Sequence, residues 1–456
     1  MKEVKFLVDL GSTFTKVVVV DLASEKVICR VQGPSTVDTD VMIGLREAIQ
    51  KAKSEAGITS IDREDALASS SAAGGLRMVC IGLVPDLSLK AGTEAALGAG
   101  AKLVGSYSYE LTKDEMAEIE AISPEVILLA GGTDGGNESV VLHNAKMLAS
   151  SKINAVIVVA CNKGAQDRVR SILENGGKKV KLAKNVMPEI GKIEVSSCRE
   201  AIRDVFVKNI VRAKGIERVK EVVKEVLMPT PQAVLNAAKL LSEGVNGEEG
   251  LGELMVVDVG GATTDVHSIA EGKVIQDAIY GDLLPEPVVK RTVEGDLGVR
   301  HNIDTLLKIG REKGFLDGHD LDVAQSLTRI NKLPETPEER CLDMKLARIA
   351  TQVAVERHVG RIEDWYGPAG RMIVQRGKDL RGINSLIGTG GPIVFAQDPR
   401  TVLEGALFDR KRPNLLKPES PRLYLDGDYI LYAIGILANL EPEKALRIAK
   451  KYLKEI

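Results

Sequence analysis

Aromatic residues are scarce: Phe, Tyr and Trp together make up 3% of 456 residues. A platform that stacks single-stranded bases on aromatic rings is therefore not expected. An excess of either charge is also missing. Lys and Arg number 61 against 64 Asp and Glu, for a net charge of −3, which gives no electrostatic case for nucleic acid or an anionic membrane. No run of about 18 apolar residues is present, so no membrane-spanning helix is expected. The five cysteines (Cys29, Cys80, Cys161, Cys198, Cys341) are far apart and form no CxxC pair. That pattern argues against a disulfide scaffold or a zinc site and suits a reducing cytoplasm. The chain runs directly into an apolar strand without the basic and apolar regions of a secretory leader, so a cytoplasmic location is the expectation. A GxxxxGK[ST] loop is absent, and Asn162-Lys163 lacks the aspartate that a guanine-reading NKxD needs, since the next one is Asp167. The five histidines show no metal spacing, and nothing resembles a Ser-His-Asp triad.

What is present is a repeated piece of grammar. Residues 4–21, VKFLVDLGSTFTKVVVVD, read as an apolar strand ending near Asp9, a turn at Gly11-Ser12-Thr13, and a second apolar strand. Residues 254–269, LMVVDVGGATTDVHSI, repeat it with Asp258, Gly260, Gly261, Thr263 and Thr264 in the equivalent places. Glycine lets a backbone approach a phosphate closely and offer it amide donors, and Ser or Thr adds hydroxyls. Asp9 and Asp258 at the strand ends are placed to hold a hydrated Mg²⁺ beside that phosphate. Thr15 and Lys16 follow the first turn; Lys16 could neutralise phosphate charge or face solvent. Asp258 or Asp265 could orient an attacking water.

The chain divides on this reading into α/β units. Strand, turn and strand, then an apolar strand with a double glycine, occur from Asp9 to Gly131 and again from Asp258 to Gly390. Two related domains enclosing a cleft are expected, at 1–150 and 251–456. Between them lies an α/β and helical insertion at 151–250, ending in the linker GVNGEEGLG. A second, mostly helical insertion is expected at about 296–375.

The two hairpins resemble the phosphate-1 and phosphate-2 loops of the actin, Hsp70 and sugar-kinase ATPase superfamily. Gly388-Thr389-Gly390-Gly391 resembles that superfamily's adenosine loop, and the three occur in its order. The resemblance implies an α/β fold of two duplicated actin/ribonuclease H-like ATPase domains, with ATP and Mg²⁺ in the cleft. At finer grain, SSSAAGGLRMVCIGLVPDLS from Ser69, LLAGGTDGGN from Leu128 and TVEGDLGVR from Thr292 resemble the MutL/GlmL type of glutamate (methylaspartate) mutase accessory protein. That family is unrelated to the mismatch-repair protein of similar name. It gives Glu294, with Asp296, weight as a metal-side or water-orienting group, the alternative being carboxylates that stabilise a helix N-terminus. The function it implies is ATP-driven reactivation of an adenosylcobalamin-dependent mutase, such as glutamate mutase or an aminomutase, by release of damaged cobalamin. Mutase subunits are the expected partners, and a homo-oligomer is left open. No cobalamin-ligating DxHxxG occurs in the chain. The alternatives are a small-molecule kinase, with Asp265 or Asp282 as its catalytic carboxylate, and an actin-like ATP-binding scaffold.

Overall fold

The computed structural model describes residues 1–456 apart from 1–2, 12–13, 37–38, 72–75, 211–215, 277, 285, 328–332 and 368–369. Ser12 and Thr13, expected on a phosphate, therefore lie outside the described residues. Val17 to Val20 are all buried. Four β-branched residues in a row suit a strand covered on both faces. That strand, Phe14–Asp21, lies inside a five-stranded sheet ordered Glu225–Pro229, Ala66–Ser70, Val4–Leu10, Phe14–Asp21, Lys26–Pro34. The last three run antiparallel, and the first two join in parallel. A second sheet repeats the plan with Val289–Glu294, Thr264–Ile269, Leu254–Val259, Ser385–Thr389 and Arg422–Leu425, extended by Lys454–Glu455. The duplicated α/β arrangement expected of an actin-like ATPase is present.

The counterpart of Ser385–Thr389 is Ala66–Ser70, which corrects the expected match at Gly131. Val126–Gly131 belongs instead to an all-parallel middle sheet ordered Lys102–Ser108, Arg77–Gly82, Val126–Gly131, Val156–Cys161, Lys179–Leu182. This layer is inserted between the fourth and fifth strands of the N-terminal sheet. An apolar strand ending in two glycines reads the same whichever sheet it joins, because its pairing partners lie far away in the chain. A division at residue 150 falls between two hydrogen-bonded strands of this layer. Glu225–Pro229, within the stretch expected to be an insertion at 151–250, is a strand of the N-terminal sheet.

In the C-terminal half the third strand is Val289–Glu294, and the earlier stretch at 278–280 is not part of this sheet. Ala278–Tyr280 pairs instead with the hairpin Arg361–Gly367 and Gly370–Arg376. The 296–375 insertion holds helices Ile303–Glu312, Gly318–Leu327 and Pro337–His358 before that hairpin. The longest of them starts with a reciprocal cap between Thr336 and Glu339.

Helices Thr230–Glu243 and Leu431–Leu437 cross between the two repeated sheets. Leu7 and Val18 from one sheet and Leu254 and Val256 from the other close over them. Leu241 and Ile436 are fully buried there, and each such side chain contributes about 1.5–3 kcal/mol. The crossing is tight: a Cβ added at Gly435 would lie 1.7 Å from the Ala233 carbonyl oxygen. No helix among the described residues is long and apolar enough to cross a membrane.

Candidate active site

Both glycine turns open onto one cleft of about 650 Å³, within the size range of small-molecule sites. Each turn is closed in the same way. The Gly11 amide donates to the Phe14 carbonyl at 3.0 Å, and the Gly260 amide donates to the Thr263 carbonyl at 2.9 Å. A Cβ at Gly11 would sit 2.4 Å from that same Phe14 oxygen, so the turn needs glycine. Two residues before each glycine stands an aspartate. Across the ladder, Asp9 faces Lys16 and Asp258 faces Asp265.

The first pair is neutralised where it stands. Lys16 Nζ donates to Asp9 Oδ2 at 2.7 Å, and the Thr230 hydroxyl donates to Asp9 Oδ1 at 2.5 Å. Burial disfavours the ammonium, but Asp9 and the Tyr429 ring, 4.3 Å away, outweigh it and raise the lysine well above its ordinary pKa. In the second pair, Asp265 Oδ1 accepts from Arg291 Nε at 2.9 Å and Nη2 at 2.6 Å. Its Oδ2 accepts from the Thr263 hydroxyl at 3.1 Å. Arg291 also donates from Nη1 to the Leu97 carbonyl at 2.8 Å, the carbonyl end of helix Lys90–Gly98.

Asp258 is left without a hydrogen-bond partner among the described residues. Burial, then Asp265, Asp426 and Asp9, push its carboxyl up to about 7, against the pull of Lys16. A half-buried carboxylate poised near neutrality suits a general base or the side of a metal ion.

Asp9, Gly11, Lys16, Asp258, Gly260, Gly261, Thr263, Asp265 and Gly391 of the expected set line the cleft. Others do not. Strand alternation turns Thr15 away from Lys16, toward Gly44 of helix Val41–Ala56. Thr264 donates to the Leu297 carbonyl at 2.8 Å, and Thr389 to Asp426 Oδ2 at 2.9 Å. Gly388 faces Ile393 and Leu403. Gly390, at φ +89°, supports the floor: a Cβ there would lie 2.2 Å from the Val259 carbonyl and 2.6 Å from Asp258 Oδ1. Glu294, expected at the metal, is not a cleft residue. Arg357 holds it at 2.6 Å and holds Asp296 at 2.8 Å and 3.0 Å, a partner more than sixty positions away in sequence.

Sequence reasoning missed Thr230, Lys102, Arg291 and the rings Phe395 and Tyr429, all cleft residues. The rings stand edge to face, 6.4 Å apart, beside Gly391. Arg291 carried no readable signal, being one of two adjacent cations in a strand whose other residues are only partly buried; for Thr230 the signal was a hydroxyl between two prolines at a helix start. No group of three or more metal-ligating side chains occurs among the described residues. Mg²⁺ does not need one, since it keeps several waters and binds one or two carboxylates plus phosphates. The partnerless Asp258, with Asp9 beside it, fits that donor set.

Fold and site together define a duplicated actin-like α/β protein with one cleft onto which both glycine turns open. In comparison with known proteins, residues 5–453 match the family model described as MutL protein. A relative, Protein MutL of Clostridium tetanomorphum, is 43% identical over 457 residues, covering 99% of each chain. The chain belongs to the MutL protein family, the one associated with glutamate mutase and not with DNA repair. Among solved structures, gluconate kinase from Lactobacillus acidophilus is 11% identical at a TM-score of 0.37, over 99% of this chain and 93% of that one. Xylulose kinase from Bifidobacterium adolescentis is 12% identical at 0.30, over 98% and 93%. Scores of that size carry no argument here; the fold class rests on the strand order of the two sheets.

Proposed function

We propose that this chain is an ATP-dependent reactivating factor for an adenosylcobalamin-dependent mutase such as glutamate mutase, coupling ATP hydrolysis to release of damaged cobalamin. The observation that carries the ATPase part is Asp258: a carboxylate with no partner among the described residues, at the floor between two equivalent glycine turns, held near neutrality. Membership of a glutamate-mutase-associated family supports the choice of partner. Gly11 and Gly260 would let the backbone close on the phosphates from two sides. Lys16, fixed on Asp9 and the Tyr429 ring, brings positive charge to the same cleft. Asp258 orients the attacking water and accepts its proton. Mg²⁺ bound beside Asp9 and Asp258 would neutralise charge on the β and γ phosphates.

The kinase reading loses support from the same geometry. Of its two acceptor-side carboxylates, Asp265 is committed to Arg291. Asp282 accepts from the Gly377 amide at 2.7 Å and does not line the cleft.

The test is to mix the purified chain, Mg-ATP and intact adenosylcobalamin with mutase carrying damaged cofactor. Recovered mutase activity with release of phosphate is expected. Recovery without ATP hydrolysis, or a phosphorylated small molecule as product, would overturn the proposal.

A further inference from the structure

Five cationic side chains among the described residues line the cleft: Lys16, Lys102, Arg291, Arg300 and Arg340. Three face a carboxylate: Lys16 pairs with Asp9, Arg291 with Asp265 and Arg300 with Asp343. Arg340 donates to the Glu335 carbonyl at 2.8 Å. The Lys102 side chain has no hydrogen-bond or ion-pair partner among the described residues. It is also the cation that comes from the middle α/β layer, as the first residue of strand Lys102–Ser108.

The segment carrying it is fixed against the rest of the cleft. Arg291 donates to the Leu97 and Ala101 carbonyls at 2.8 Å and 3.4 Å. Gly100, at φ +85°, packs on Pro229, where a Cβ would come within 2.9 Å. The Lys102 side chain lies over Gly295, its Nζ 3.7 Å from where a Cβ would stand. The loop after Gly295 supports the second glycine turn: Val299 and Arg300 amides donate to the Gly260 and Gly261 carbonyls at 3.1 Å and 2.9 Å. An uncommitted ammonium therefore reaches the phosphate side of the cleft from a layer that belongs to neither repeated sheet.

We propose that Lys102 contacts the terminal phosphoryl group, so that a triphosphate is held more tightly than a diphosphate by a cation of the middle α/β layer. The inference rests on the nucleotide reading above and deepens it. An ammonium that gains a phosphate oxygen makes a charge-assisted hydrogen bond, while one without a γ-phosphoryl stays solvated. Discrimination between the two ligands then falls on this side chain.

The experiment is calorimetric titration of the full chain with the magnesium complexes of a non-hydrolysable ATP analogue and of ADP. Lys102→Met should weaken the ATP analogue by about tenfold or more, the size of one charged hydrogen bond, with ADP binding changed less than about twofold. Lys102→Arg, which keeps the charge, should recover part of the difference. Equal weakening of both nucleotides, or no change in either, would overturn the role of Lys102 while leaving the nucleotide site standing. Absence of binding by the wild-type chain would remove the nucleotide site itself, and Lys102 with it. Because the Lys102 side chain has no partner among the described residues, its removal strands none of their buried groups, and unchanged thermal unfolding confirms that each variant is folded.

Discussion

The two hairpins share a backbone and differ in one cross-strand partner. Both place an aspartate two residues before a glycine whose amide closes the turn. In the first, the residue opposite is Lys16, and Asp9 is satisfied on both oxygens. In the second it is Asp265, so two carboxylates face each other; Arg291 takes one and Asp258 stays free. A duplicated turn thus acquires two characters, one that holds and one that can react. The difference lies in charge balance, since the turn itself is the same.

The largest effect should come from removing the reactive side. Asp258→Ala is expected to reduce ATP hydrolysis by about 10²–10⁴-fold, the range of a lost general base, with the circular dichroism spectrum unchanged. Wild-type turnover in a phosphate-release assay would take Asp258 out of the site. Next comes the holding side. Lys16→Met leaves Asp9 buried without its ion-pair partner, and chemical denaturation should show a loss of about 3–5 kcal/mol; a loss under about 1 kcal/mol would mean that the Lys16–Asp9 pair does not hold the first hairpin.

The same pairing predicts the opposite sign for Asp258→Asn. A carboxyl whose folded value lies near 7, above its ordinary 3.8, makes folding less favourable as pH rises between those values. The variant should therefore be more stable than wild type at pH 8, by about 1–2 kcal/mol once solvent screening is allowed for. That gain should vanish toward pH 4, and a constant difference across this range would contradict the repulsion between the two aspartates.

The smallest effect at neutral pH tests the strand beyond the turn. His267 stands where the first hairpin has Val18, fully buried, and neither ring nitrogen has a hydrogen-bond partner among the described residues. Burial first, with Arg291 next, holds its pKa down to about 3. Below its ordinary 6.5 the unfolded chain takes a proton that the folded one refuses, so wild type loses stability there. His267→Leu should gain up to about 1 kcal/mol at pH 7, and the gap should widen by about 1.4 kcal/mol per pH unit below 6.5. Parallel pH profiles for the two proteins in denaturation would reject this.

Much of this comparison was legible in the chain itself. Both hairpins, their aspartates and the third glycine loop are local patterns, each contained within about twenty residues. What the sequence hid was long-range. Ala66–Ser70 is a weakly apolar strand, yet it takes the place that the more apolar Val126–Gly131 seemed to claim, because hydrogen-bonding partners decide sheet membership. Glu294 looked like a site residue since its partner, Arg357, lies far downstream. Lys102, Thr230 and Arg291 are single polar residues without a motif, and only the meeting of three layers gives them a role.

The contact at Gly435 carries a consequence for Asp9. Helix Thr230–Glu243 begins with its hydroxyl on the Asp9 carboxylate and, one turn later, presses Ala233 against Gly435. A methyl group at 435 has no room at that crossing, so the two helices would have to separate. The shift would travel one helical turn and arrive as a lengthened bond at the first aspartate. A substitution remote from any ligand would then be felt as a loosened carboxylate, which ties the geometry of the holding hairpin to a hydrogen atom in the opposite half of the molecule.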